Sequence, residues 1–196
     1  MTLNEDEELG PGKLPAGLAA LLAEAGDPAR PRPVERWNPP DCGDIDIRIA
    51  ADGTWHYRGT PISREPLVRL FASVLRREPD GRHVLVTPVE KLGIVVEDAP
   101  FLAVEAERSG EGEEQQLFFR TNMGDVVTAG PEHPLRFQIE PGTGGFRPYV
   151  RVRGGLDALL TRTLAQDLAV LAEEHRGRVG VWSAASFFAF PEAALG

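Results

Sequence analysis

One supersecondary pattern occurs twice in this chain, and that constrains the fold more than any motif does. Residues 44–101 and 135–190 each read as two strands in a hairpin, one amphipathic helix and two further strands. Ile45, Ile47 and Ile49 alternate with Asp46 and Arg48, as Leu135, Phe137 and Ile139 alternate with Arg136 and Gln138. Both are the period-two pattern of half-buried strands. Trp55, Tyr57, Arg58 and Gly59 then match Val150, Val152, Arg153 and Gly154, a shift of 95 positions (153 minus 58) that recurs from Val84 and Val86 to Val179 and Val181. The pattern predicts an α+β fold built from a duplicated strand-strand-helix-strand-strand unit. The seam between two such halves is a common place for a ligand.

Four segments follow from this reading. Residues 1–36 form a tail, a short helix and a proline-rich arm. Residues 37–101 form the first repeat, 102–134 a joining hairpin and loop, and 135–196 the second repeat. The tail to residue 13 is acidic and polar and predicts disorder. Leu18, Leu21 and Leu22 predict a helix over 14–25, closed by Gly26. Five prolines from Pro28 to Pro40 make an extended arm, which the ring of Trp37 is expected to pin to the body. Ser63 is a suitable N-cap for the first-repeat helix, whose apolar stripe is Leu67, Leu70, Phe71, Val74 and Leu75. Strands are expected at 83–87 and 92–97. A hairpin pairs 101–107 with 116–121 around the acidic tip 109–114. The second-repeat helix is expected over 156–174, with Leu156, Leu159, Leu160, Leu164, Leu168 and Leu171 facing inward, followed by strands near Val179 and Phe187.

Composition bounds the function. The 196 residues are 42% hydrophobic and 26% charged, an ordinary globular composition. The net charge of −9 is uneven: −4 over residues 1–43, −1 over 44–98, −5 over 99–134 and +1 over 135–196. A broad basic face for a nucleic-acid polymer is therefore not expected. No apolar run reaches the roughly 20 residues that span a bilayer, and the acidic N-terminus is unlike a signal peptide. A single cysteine, Cys42, fits a reducing cytoplasm.

No motif announces catalysis or a cofactor. Gly142-x-Gly144-Gly145 joins two alternating strands, so it reads as a hairpin turn rather than a dinucleotide loop. Gly10-Pro11-Gly12-Lys13 lacks the length and following hydroxyl of a phosphate loop. The four histidines are dispersed without metal spacing. Asp44 and Asp46 suit an acid–base pair or a cation, but a solvated strand face with an Asp46–Arg48 pair is the preferred reading.

The more informative constellation is basic and aromatic. Arg147, Tyr149, Arg151 and Arg153 alternate, so a regular strand points all four to one face. Such a face suits a phosphate or carboxylate attached to a stackable ring. Salt bridges to the acidic leader or the joining hairpin explain the same residues equally well. First-repeat groups expected to join them are Arg48, Trp55, Arg64 and Lys91.

Several stretches also carry a family resemblance. They include Cys42-Gly43-Asp44-Ile45-Asp46-Ile47, Asp52-Gly53-Thr54-Trp55, Gly59-Thr60-Pro61-Ile62-Ser63-Arg64 and Leu85-Val86-Thr87-Pro88-Val89-Glu90-Lys91. Val96-Glu97-Asp98-Ala99-Pro100-Phe101, Thr121-Asn122-Met123-Gly124-Asp125, Ala129-Gly130-Pro131 and Arg147-Pro148-Tyr149 continue it. Over about four fifths of its length the chain resembles DUF1285, a bacterial family of unknown function. The resemblance implies a C-terminal half loosely like a pleckstrin-homology domain, a nucleotide-like ligand between the halves and a signalling role. It implies no activity. The function expected is non-catalytic binding of a small anionic, nucleotide-like molecule at the interface of the repeats. The alternatives are a protein-interaction module and, behind it, an enzyme of unassigned class.

Overall fold

Among the described residues, five three-stranded antiparallel meanders follow one another along the chain. The computed structural model describes residues 14–24, 27 and 30–192, and the chain divides into two units at Asp98 and Ala99. The expected disordered tail lies outside the described residues.

In the first unit, helix α1 (Ala16–Ala23) precedes β1 (Asp41–Ile49), β2 (Trp55–Tyr57) and β3 (Thr60–Pro61). Helix α2 (Glu65–Ser73) then leads to β4 (Leu75–Arg77), β5 (His83–Val86) and β6 (Lys91–Val96). One sheet holds all six strands in the order β3-β2-β1-β6-β5-β4, with β1 and β6 parallel at its centre. Ile47 and Ile49 point into the core while Asp44 and Asp46 stay exposed, as alternation requires. Arg48 pairs with Glu97 rather than Asp46, because the parallel neighbour β6 delivers Glu97 beside it.

Helix α2 buries Leu67, Leu70 and Phe71, each at most 1% exposed. It is shorter than its apolar stripe. Arg64 rather than Ser63 is the capping residue, and Val74 closes the helix. Leu75 opens β4 and pairs with Leu85, so the last two residues of the stripe are buried by a strand. Helix α1 docks closely: a Cβ on Gly17 would lie 2.3 Å from Thr87 Oγ1, and the Leu18 N–H donates to Glu90 Oε1 at 3.1 Å. The proline-rich arm is held mainly by Arg76, which donates to the carbonyls of Val34 and Trp37 at 2.8 and 2.7 Å. Val34 is buried and Trp37 only half-buried, so the anchor is a guanidinium more than an indole.

The second unit contains β7 (Phe101–Ser109), β8 (Gln116–Thr121), β9 (Val126–Thr128), β10 (Leu135–Ile139), β11 (Phe146–Arg153) and β12 (Leu156–Leu160). Their sheet runs β10-β11-β12-β7-β8-β9, with β12 and β7 parallel at the centre. Each unit thus builds its sheet from two meanders joined through the first strand of one and the last strand of the other. The fold is α+β with two similar six-stranded sheets, consistent with a duplicated unit, although the expected second repeat over 135–190 is shared between the second sheet and the separate β13–β15 sheet. The hairpin over 102–134 does more than join the repeats, because β7, β8 and β9 are half of the second sheet. Helix α3 (Arg162–Val170) follows β12, and β13 (Glu173–His175), β14 (Arg178–Ser183) and β15 (Ser186–Ala189) form a separate small sheet.

The helix expected over 156–174 is therefore only its middle. Leu156–Leu160 is a strand paired on both sides, antiparallel to β11 and parallel to β7. A short central strand covered on both faces, here with Asp157 as its one polar residue, is one that periodicity cannot separate from a buried helix segment. The single shift of 95 also fails to hold throughout. The tight turns Arg58-Gly59 and Gly154-Gly155 share φ values of 48° and 79°, which places the turns 96 positions apart (154 minus 58). β11 is longer than β2 and carries a bulge between Arg151 and Arg153, which accounts for such drift.

Candidate functional site

The bulge in β11 interrupts the alternation that a one-sided basic face needs. Each arginine on that strand has a carboxylate beside it. Arg147 Nη1 donates to Glu140 Oε1 at 2.7 Å, Arg151 Nε to Asp157 Oδ1 at 2.5 Å, and Arg153 Nη1 to both oxygens of Asp125 at 3.0 Å. Asp157 is 9% exposed and also accepts from Arg136 at 3.3 Å, so two guanidiniums support one buried carboxylate. Tyr149 is 2% exposed, and the Arg136 guanidinium lies 4.1 Å from its ring centroid. That ring is already covered.

The first-unit candidates each have their own local surroundings. Trp55 is 2% exposed with its ring centroid 6.2 Å from Phe71, and its indole N–H meets no acceptor among the described residues. Lys91 Nζ donates to Glu78 at 2.8 Å, beside Arg76. Arg48 pairs with Glu97, which also accepts the Ala51 N–H. Arg64 is exposed at the start of α2.

Of the candidate ligand-binding residues, Arg147 alone borders a cleft of about 620 Å³ within the second unit. One wall is the β10–β11 loop with Glu140, Thr143 and Gly145. Phe146 and Arg147 of β11 and Leu159 and Leu160 of β12 form the floor. The far wall is one face of α3, carrying Arg162, Ala165, Gln166 and Ala169. Phe146 is fixed by two rings, Phe137 at 5.5 Å and Phe190 at 5.1 Å between centroids.

The loop folds back on itself. The Thr143 hydroxyl donates to Glu140 Oε2 at 2.5 Å and accepts the Gly145 N–H at 3.1 Å. Gly142 and Gly144 adopt φ of 89° and 70°, a region that costs glycine little. The Thr143 hydroxyl, then the Arg147 guanidinium, hold the Glu140 carboxyl below its ordinary pKa, so it is ionised at neutral pH. Arg162 is exposed, and no salt bridge to it is found among the described residues. The cleft thus offers two guanidiniums, one tied to Glu140 and one exposed, above an apolar floor. An anion with an apolar body matches that chemistry.

Arg162 and Gln166 escape the sequence reading for one reason. A helix begun at Leu156 hides the fact that Arg162 opens α3 opposite the glycine-rich loop. Among the described residues no three His, Cys, Asp or Glu side chains gather as a metal site, and no helix is long and apolar enough to cross a membrane.

The N-terminal domain of unknown function DUF1285 matches residues 32–99, and the C-terminal domain of that family matches 100–190. The chain belongs to the DUF1285 family. The two DUF1285 domains meet where the two units divide. A DUF1285 protein from Silicibacter pomeroyi DSS-3, solved by crystallography, is 51% identical with a TM-score of 0.82, covering 88% of this chain and 92% of that one. A second, from Shewanella baltica OS155, is 29% identical with a TM-score of 0.48, covering 63% of this chain and 89% of that one. No curated protein matches the chain.

Proposed function

We propose that this DUF1285 protein is a non-catalytic, cytoplasmic ligand-binding module that holds a small anionic molecule in the cleft of its C-terminal unit, as part of a signalling response. The observation that carries the reading is the pairing of Arg147 and Arg162 across an apolar floor of Phe146, Leu159 and Leu160. Arg162 is exposed on the wall opposite Arg147, where its guanidinium is open to a bound anion. The lining offers neither a histidine nor a thiol, and its one carboxylate is tied to Arg147 and Thr143. Binding accounts for these groups without invoking a reaction.

A thermal-shift panel of phosphorylated and carboxylated metabolites, nucleotides included, tests the reading. At least one anion should raise the melting temperature of the wild-type protein, and Arg162→Ala should remove that rise. The free Arg162→Ala protein should melt as the wild type does, because no ion pair is lost. An anion-induced rise that survives Arg162→Ala places the site elsewhere.

The second reading is a protein-interaction module. β9 is an edge strand of the second sheet, and its Val126 is 65% exposed, which suits strand addition by an extended peptide.

A further inference from the structure

We infer that the cleft takes an amphipathic monocarboxylate, an apolar body with a single carboxylate head, and that this head displaces Glu140 from Arg147. The inference rests on the ligand-binding reading above and adds the class of ligand and the manner of its entry.

The head-group position already holds a carboxylate. Glu140 receives the Arg147 guanidinium at 2.7 Å and the Thr143 hydroxyl at 2.5 Å, the two donors that a ligand carboxylate entering the cleft would find. The Glu140 side chain is 39% exposed, so it can move to water without breaking a packed core. Its loop is closed by the Glu140 N–H to the Gly145 carbonyl and the Gly144 N–H to the Glu140 carbonyl. Gly142 and Gly144 lie between those anchors and leave the backbone free to reorient.

Charge and lining narrow the class. Two arginines against one glutamate leave the cleft with one net positive charge. A nucleoside polyphosphate would bring several negative charges against Glu140. A monocarboxylate that expels Glu140 simply replaces one negative charge with another. Phe146, Leu159, Leu160, Ala165 and Ala169 supply the remaining wall, which favours hydrocarbon over a polar base.

Calorimetric titration of the full chain with decanoate, below its micelle concentration, and with AMP tests this. Arg147→Gln and Glu140→Gln both break the same internal ion pair, so they match one another in that structural loss. Decanoate should bind the wild-type protein, lose that binding in Arg147→Gln, and bind Glu140→Gln about tenfold more tightly, once one charge-assisted hydrogen bond no longer competes. Equal changes in both variants would show that the pair is structural and overturn the displacement. Arg147-dependent binding of AMP without decanoate would overturn the ligand class and leave the ligand-binding reading standing. Binding of neither probe overturns this inference, while the anion panel on Arg162→Ala decides the wider reading separately.

Discussion

Arg151 and Asp157 face one another across the β11–β12 hairpin, with the arginine Nε donating to the carboxylate at 2.5 Å. The carboxylate is the buried partner, so the pair matters mainly for what would follow if it were broken. Arg151→Ala should destabilise the free protein by about 1–2 kcal/mol, since Asp157 keeps only Arg136. Urea denaturation of the ligand-free protein measures this. A midpoint unchanged by the substitution would mean that Arg151 is held for another purpose.

Phe71 anchors the core of the first unit from the centre of α2, fully buried and against Trp55. Phe71→Ala removes that burial and leaves a cavity, at a cost of about 3–5 kcal/mol. The urea midpoint should fall accordingly without a change in slope. No fall would show that α2 packs on another face.

The fold was legible where local chemistry and tertiary context agree. The β7–β8 hairpin follows the pairing around an acidic tip expected from the sequence, and the core face of α2 follows its stripe through Phe71. Legibility failed where a strand is buried on both sides. Leu156–Leu160 is covered on both faces, Asp157 included, so its burial shows no period of two and it merges with the helix that follows. The same merger concealed Arg162. The charge of Arg147 is visible in the sequence, but its cavity depends on a loop and a helix face that adjoin only in the folded unit. The partners of Arg151 and Arg153 likewise come from β12 and from the turn before β9, contacts that spacing along β11 does not encode.

Glu78 makes the first unit sensitive to acid. Burial alone would push its carboxyl up, but hydrogen bonds from Lys91 and Arg76 outweigh it and hold the pKa below 4.5. The unfolded state therefore binds the proton first. The stabilisation is fully present at neutral pH and is lost as pH falls through 4.5 toward the lower folded value. Glu78→Gln should be less stable than the wild type at pH 7, with the gap in urea midpoint narrowing as acid is added. A gap that stays constant down to about pH 3 would contradict the ion-pair account.

The turn Ala184-Ala185 carries two non-glycine residues at φ of 47° and 58°. It is held by the buried Ser183, whose hydroxyl donates to the Ala129 carbonyl at 2.7 Å and accepts the Leu117 N–H at 3.0 Å. Ala185→Gly relieves the left-handed strain and should stabilise the protein by about 0.5–1 kcal/mol. A lower melting temperature in that variant would show that the alanine methyl contributes packing that outweighs the strain.

Ala169→Trp asks whether the C-terminal cleft is a binding site. Ala169 lines the cleft from an exposed position on α3, so an indole there fills the space without touching either arginine's charge. The measurement is the anion-induced rise in melting temperature of wild-type and Ala169→Trp protein, titrated in parallel with whichever anion gives the largest rise. Occlusion of the cleft should abolish the rise in the variant while its ligand-free melting temperature stays close to that of the wild type. A full rise in a folded Ala169→Trp protein would contradict the account, because the anion would then be binding outside the cleft.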